Sequence, residues 1–122
     1  MVDLILKKMI QSKIFCIRGK NVIFDRDIAE LYGVETKQLK RQVRRNSKRF
    51  PPDFMFKLTT DEFKNLRSQF GTSRWGGTRY PPFAFTEQGV AMLSSILQSS
   101  KAIKVNIRII RVFIELRELA QT

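Results

Sequence analysis

Residues 37–49 read KQLKRQVRRNSKR and carry seven of the chain's 23 positive charges with no acid among them. At roughly 100° of helix per residue, Leu39 and Val43 share one side, and Lys37, Arg41, Arg44 and Lys48 cluster on the other. An apolar side that docks on a body, with cations turned outward, suits a helix that meets a polyanion. A face built for solubility alone mixes its signs. This one sets like charges at i, i+4, at a cost of about 0.2–0.5 kcal/mol per pair that a bound polyanion relieves. In a helix laid in the DNA major groove, residues near its start reach base edges. Here those are Thr36, Lys37, Gln38 and Arg41. Gln pairs bidentately with adenine, and Arg with guanine. Lys40, Arg44, Arg45, Lys48 and Arg49 are placed to hold phosphates.

A second cationic segment reads RWGGTRY. Gly76-Gly77 is expected to make a hairpin tip, from which Arg74 and Arg79 would act as accessory contacts to phosphates or a minor groove. The alternative is that Trp75 and Tyr80 pack on the body and the arginines are only exposed.

Catalytic chemistry has little to stand on. The chain has no His, so the commonest general base and the commonest transition-metal ligand are both missing. One Cys rules out an internal disulfide and a zinc finger. No GxxxxGK[ST] phosphate cradle is present, and no Ser or Cys has a His to activate it. Asp25, Asp27 and Glu30 cluster in sequence and read as capping and charge balance. A nuclease would require them to converge on a metal. The expectation is no enzyme, no cofactor, no metal and no small-molecule substrate.

Net charge is +12 and the isoelectric point about 10.5, which draws the chain to nucleic acid and says nothing of fold. No apolar run is long enough to span a bilayer, and MVDLILKKMI, with Asp3, Lys7 and Lys8 in its short apolar stretch, does not look like a signal peptide. A cytoplasmic protein is expected. Cys16, in the apolar run IFCI, is expected to be buried and inert. A hydrophobic share of 43 % with ten Phe supports a real core, and 122 residues fit a single domain, 1–122.

The elements that must position the basic helix follow from local signals. Residues 14–24 predict two strands around Arg18-Gly19-Lys20-Asn21. Asp25 is the expected N-cap of a helix DRDIAELY, with Ile28 and Leu31 inward and Gly33 at its end. Thr36 is the expected cap of the basic helix, and Pro51-Pro52 its stop. FMFKL reads as a strand, and Thr59 with Glu62 as a capping box for TDEFKNLRSQF. Phe83-Ala84-Phe85 is a short strand, and Thr86 caps EQGVAMLSSIL. A last helix covers residues 101–119. Strands and helices in this order predict an α+β domain with a long C-terminal helix.

Two helices joined by a short Gly-containing turn are the layout of a helix-turn-helix, here residues 25–49. Ala29 is small where the helices cross, and Val34 and Leu39 are buried positions. The last helix carries two stripes: Ile103, Ile107, Ile110 and Ile114, and Val105, Ile109, Val112 and Leu116. Either both are buried, the reading preferred here, or one packs inside and the other makes a two-fold dimer that suits palindromic half-sites.

These motifs in combination resemble one family. IRGKNVIFDRDIAELYGVETKQLKRQVRRNSKRFPPDFMFKLT and SRWGGTRYPPFAFTEQGVAMLSSIL are similar to the phage open-reading-frame-six N-terminal domain, grouped with the KilA and Bro N-terminal domains of phages and large DNA viruses. The likeness covers residues 12–97. It implies a DNA-binding regulator of phage or prophage type, with antirepressor-like relatives. Members are often fused to a second module, which this chain is expected to lack. In F-T-E-Q-G-V, Thr86 is expected to cap the helix and Gly89 to allow close approach, ahead of a phosphate site. Double-stranded DNA is thus the expected partner. The alternatives are an antirepressor-like module that binds an acidic protein, and an RNA binder with exposed stacking aromatics.

Overall fold

The computed structural model describes residues 2–70 and 80–121, apart from the side chains of Val2, Asp3 and Phe70. The described residues form six helices and four strands: α1 (Val2–Ser12), β1 (Ile14–Ile17), β2 (Lys20–Phe24), α2 (Asp25–Tyr32), α3 (Thr36–Arg45), β3 (Met55–Lys57), α4 (Thr60–Phe70), β4 (Phe83–Phe85), α5 (Glu87–Leu93) and α6 (Ser100–Ala120). The strands make one antiparallel sheet in the order β1-β2-β4-β3. The architecture is α+β, as the order of elements predicts.

Strand alternation divides the core between two faces. Val22, Phe24 and Ala84 point to one face, where α4 covers them with Phe63 and Leu66. Ile23, Phe83 and Phe85 point to the other, where they meet Ile28, Leu39, Val43, Val90 and Ile109 from four helices. The basic helix is therefore anchored through Leu39 and Val43, as its apolar side predicts.

The β1–β2 turn sets Arg18 at φ 56° and Gly19 at φ 75°. Two consecutive left-handed residues make a turn whose twist matches the strands. Arg18 is an unusual occupant, and it is held firmly. Its guanidinium donates twice to Glu62, at 2.8 Å each, and lies 4.3 Å from the centre of the Phe56 ring. Those bonds hold the Glu62 carboxyl down at about 2. The Thr59–Glu62 capping box forms as expected, with the Thr59 amide donating to Glu62 at 2.8 Å and the Glu62 amide to Thr59 Oγ1 at 3.1 Å.

Five expectations are corrected. Asp25 does not cap α2; it is the first helical residue, because β2 runs straight into the helix and Phe24 occupies the cap position. Thr36 likewise lies inside α3, with Glu35 at the cap. The basic helix stops at Arg45, before the two prolines. Asn46 ends it by donating its side-chain amide to the Gln42 carbonyl at 2.8 Å, and Ser47–Arg49 form a 3-10 turn. Cys16 is exposed. It pairs with Asn21 near the hairpin end, whereas the helices cover only Ile14 and Ile23 further along that face. Finally, one stripe of α6 is only partly covered: Val105, Ile109 and Val112 are inside and Ile110 packs against the core, while Ile103 and Ile107 are 42 % and 48 % exposed. Residues 2–12 carry no capping or turn signal that marks an element. They form α1, which packs Leu6 and Ile10 on the core and pairs Lys7 with Glu115 at 2.8 Å.

Candidate nucleic-acid interface

The unit that presents the basic helix begins with α2. Gly33 ends it at φ 75°, with its amide donating to Glu30 and the Val34 amide to Ala29, at 3.2 and 3.0 Å. This paired closure satisfies two carbonyls of the last turn and turns the chain sharply. Only residues 33–35 separate α2 from α3. Ala29 is buried where the two helices meet, and Val34 packs against the core. The layout is that of a helix-turn-helix.

On α3, Lys37, Gln38, Arg41, Arg44 and Arg45 are exposed, and Lys48 and Arg49 are exposed on the turn that follows. No acid lies on this face of the helix. Glu35 stands just before it, and the first turn contains no Asp or Glu. The positive end of the helix dipole thus adds to the side-chain charge. Five other acids are paired elsewhere: Glu62 with Arg18, Glu115 with Lys7, Glu87 with Arg117, and Asp27 and Glu30 with Lys13.

Lys40 departs from the expected set. At about 300° around α3 from Lys37, it sits on the flank rather than the front. Its ammonium lies 3.4 Å from Asp25 Oδ2 and 5.0 Å from the centre of the Phe83 ring. Asp25 is 2 % exposed. Its carboxylate also accepts from the Arg26 amide at 2.7 Å and the Phe83 amide at 3.1 Å. Burial pushes the Asp25 carboxyl up, against the pull of Lys40 and the two amides. Lys40 thus ties α3 to α2 and β4. Arg44 keeps its exposure, with its guanidinium 5.8 Å from the Phe83 ring centre.

Two further cations, outside residues 37–49, stand near this face. Arg26 is exposed on α2 and shares a cavity with Thr36 and Lys37. Lys57 is exposed on β3 and shares a groove with Lys40 and Arg44. Only the β-sheet brings Lys57 near α3, so no local signal marks it. Arg74 and Arg79 lie outside the described residues. Asp25, Asp27 and Glu30 do not converge: Asp25 faces Lys40, and the other two face Lys13. Among the described residues no group of three or more His, Cys, Asp or Glu is placed to hold a metal ion. None of the described helices is long and apolar enough to cross a membrane.

Helix α5 is capped as expected, with Thr86 Oγ1 accepting from the Gly89 amide at 3.3 Å. The same hydroxyl donates to the Asp53 carbonyl at 2.7 Å. A Cβ on Gly89 would fall 1.9 Å from the Phe54 carbonyl oxygen, so this glycine serves close approach.

The described parts of the signature segments thus map onto one architecture, from the β1–β2 hairpin to α5. A family model for the ORF6N domain matches residues 12–96. The chain belongs to the ORF6N family. ORF6N is a phage-related domain. Its match takes in the whole sheet, the α2–α3 unit and α5, and it stops before α6. No curated protein and no solved structure matches the chain.

Proposed function

We propose that this ORF6N protein binds double-stranded DNA through α3 and acts as a transcriptional regulator of phage or prophage type. One observation carries the proposal: α3 and the turn after it expose six cations, Lys37, Arg41, Arg44, Arg45, Lys48 and Arg49, on a face without acids. The helix is also anchored through Leu39 and Val43 and led in by α2, as in proteins that lay a second helix in the major groove. Lys37, Gln38 and Arg41 take base edges. Arg44, Arg45, Lys48 and Arg49 hold phosphates, with Arg26 and Lys57 widening the track. Lys40 is assigned to structure. The proposal contains no catalytic step and no cofactor.

Fluorescence anisotropy of a random-sequence duplex at two or more salt concentrations tests it. Affinity is expected to fall with a log–log slope near −0.9 per phosphate contacted. Arg41→Ala/Arg44→Ala is expected to raise Kd roughly 10–100-fold at low salt and, through the phosphate contact of Arg44, to flatten the slope by about 1. Weak binding that ignores both salt and the variant would sink the proposal. A pull-down for an acidic protein partner would then take precedence.

We also propose that two copies meet through α6. Ile103, Ile107, Ile110 and Ile114 are spaced 4, 3 and 4 residues apart, the same from either end, so antiparallel copies about a two-fold axis set like against like. Sedimentation should show a dimer that Ile107→Glu converts to monomer. A wild-type monomer at DNA-binding concentrations would refute it.

A further inference from the structure

A cavity of about 280 Å³ opens beside the start of α3. Its apolar walls are Phe63, Tyr80 and Pro82; Arg26, Thr36 and Lys37 line it as well, and so does the Asp25–Lys40 ion pair. This volume lies just below the roughly 300 Å³ at which pockets for whole small molecules begin, and so suits one planar group. Tyr80 is 68 % exposed, an aromatic ring left in water in the middle of a cationic surface. Tyr80 also lines a second groove, together with Arg44 and Lys57. The ring thus borders two cavities that between them hold Arg26, Lys37, Arg44 and Lys57. A nucleotide whose base stacks on the ring carries a phosphate on each side of its sugar, and these cations are available to meet them. Thr36 offers a hydroxyl that both donates and accepts toward a base edge.

We propose that this cavity receives one unstacked base of the DNA held on α3, with Tyr80 as its stacking platform. The inference rests on the DNA-binding function proposed above. It makes the protein a reader of duplexes in which a base is bulged, mismatched or easily extruded, because the energy of unpairing is then already met. Stacking on a single aromatic side chain corresponds to about a tenfold or greater gain in affinity.

The test compares a random-sequence duplex with the same duplex carrying a one-nucleotide 2-aminopurine bulge. The bulged duplex is expected to bind about tenfold tighter, with its 2-aminopurine fluorescence changed on binding as the base leaves one stack for another. Tyr80→Ala should bring the affinity ratio to one and abolish the fluorescence response, whereas Tyr80→Phe should keep both. Tyr80 is exposed, so neither variant threatens the core. Equal affinity for the two duplexes overturns the base site and leaves DNA binding on α3 standing. Failure to bind either duplex overturns both. A Tyr80→Ala variant that weakens both probes alike, with the ratio preserved, overturns the stacking role. Saturable binding of free deoxyadenosine monophosphate without a bulge preference places a free nucleotide in the cavity and overturns the DNA-borne base.

Discussion

Gly89→Ala is expected to cost about 3 kcal/mol or more, because it forces a side chain into a space held by backbone. The added Cβ would stand 1.9 Å from the Phe54 carbonyl oxygen and 2.9 Å from its carbon. That carbonyl cannot retreat cheaply. It accepts the Thr86 amide at 3.1 Å and the Thr86 hydroxyl at 3.2 Å. Moving it would break the contacts that join α5 to the turn before β3, and the Phe85 ring lies 3.4 Å from the added Cβ as well. Thermal unfolding should therefore shift down by roughly 10 °C or more. A melting temperature within a degree or two of the unchanged protein would show that α5 does not approach this turn so closely. The substitution is ordinarily mild within a helix, where Ala is favoured over Gly, so the sign of the effect is itself diagnostic.

Asp25→Ala is expected to cost about 3 kcal/mol, since it leaves one partner of a buried ion pair behind. Lys40 would lose its carboxylate beside the Phe83 ring, and the buried Phe83 amide would lose its acceptor. The burial that pushes the Asp25 carboxyl up shows that the pair stands against a desolvation cost. The double variant Asp25→Asn/Lys40→Met is therefore expected to recover much of the loss, because it removes the charge as well as the pairing. Urea denaturation of Asp25→Ala measures the cost, and that of Asp25→Asn, Lys40→Met and the double variant measures this coupling. A cost below about 1 kcal/mol for Asp25→Ala would mean that Lys40 finds water readily, as an exposed pair does. It would return Lys40 to the set of cations available for phosphates. The stakes reach the candidate interface, because Asp25 is the link that holds the flank of α3 against α2 and β4.

The α2–α3 unit was legible in the sequence because its signals are local. Ala29 and Gly33 lie four residues apart, Leu39 and Val43 mark one helix face, and the charges of residues 37–49 exclude acids from the other. The strands around Arg18-Gly19 and the Thr59–Glu62 box were legible for the same reason: each involves residues a few positions apart. The caps at Asp25 and Thr36 were misplaced by one position, because whether a strand runs directly into a helix depends on the sheet behind it. The end of α3 was also misplaced, since Asn46 competes with the helix through its own side chain before Pro51 is reached.

By itself, then, the sequence determined the α+β class, the family, the cationic helix and the apolar side that anchors it. Short-range periodicity and capping decide those features, and they are written in neighbouring residues. Tertiary structure alone decided which charges remain available. Lys40 left the set because Asp25, fifteen positions earlier, meets it across a buried contact, and Lys57 approached because β3 pairs with β4. It also decided that Cys16 faces water and that Ile103 and Ile107 of α6 are left exposed. Each of these depends on what another segment places opposite the residue, and separation along the chain does not encode that distance.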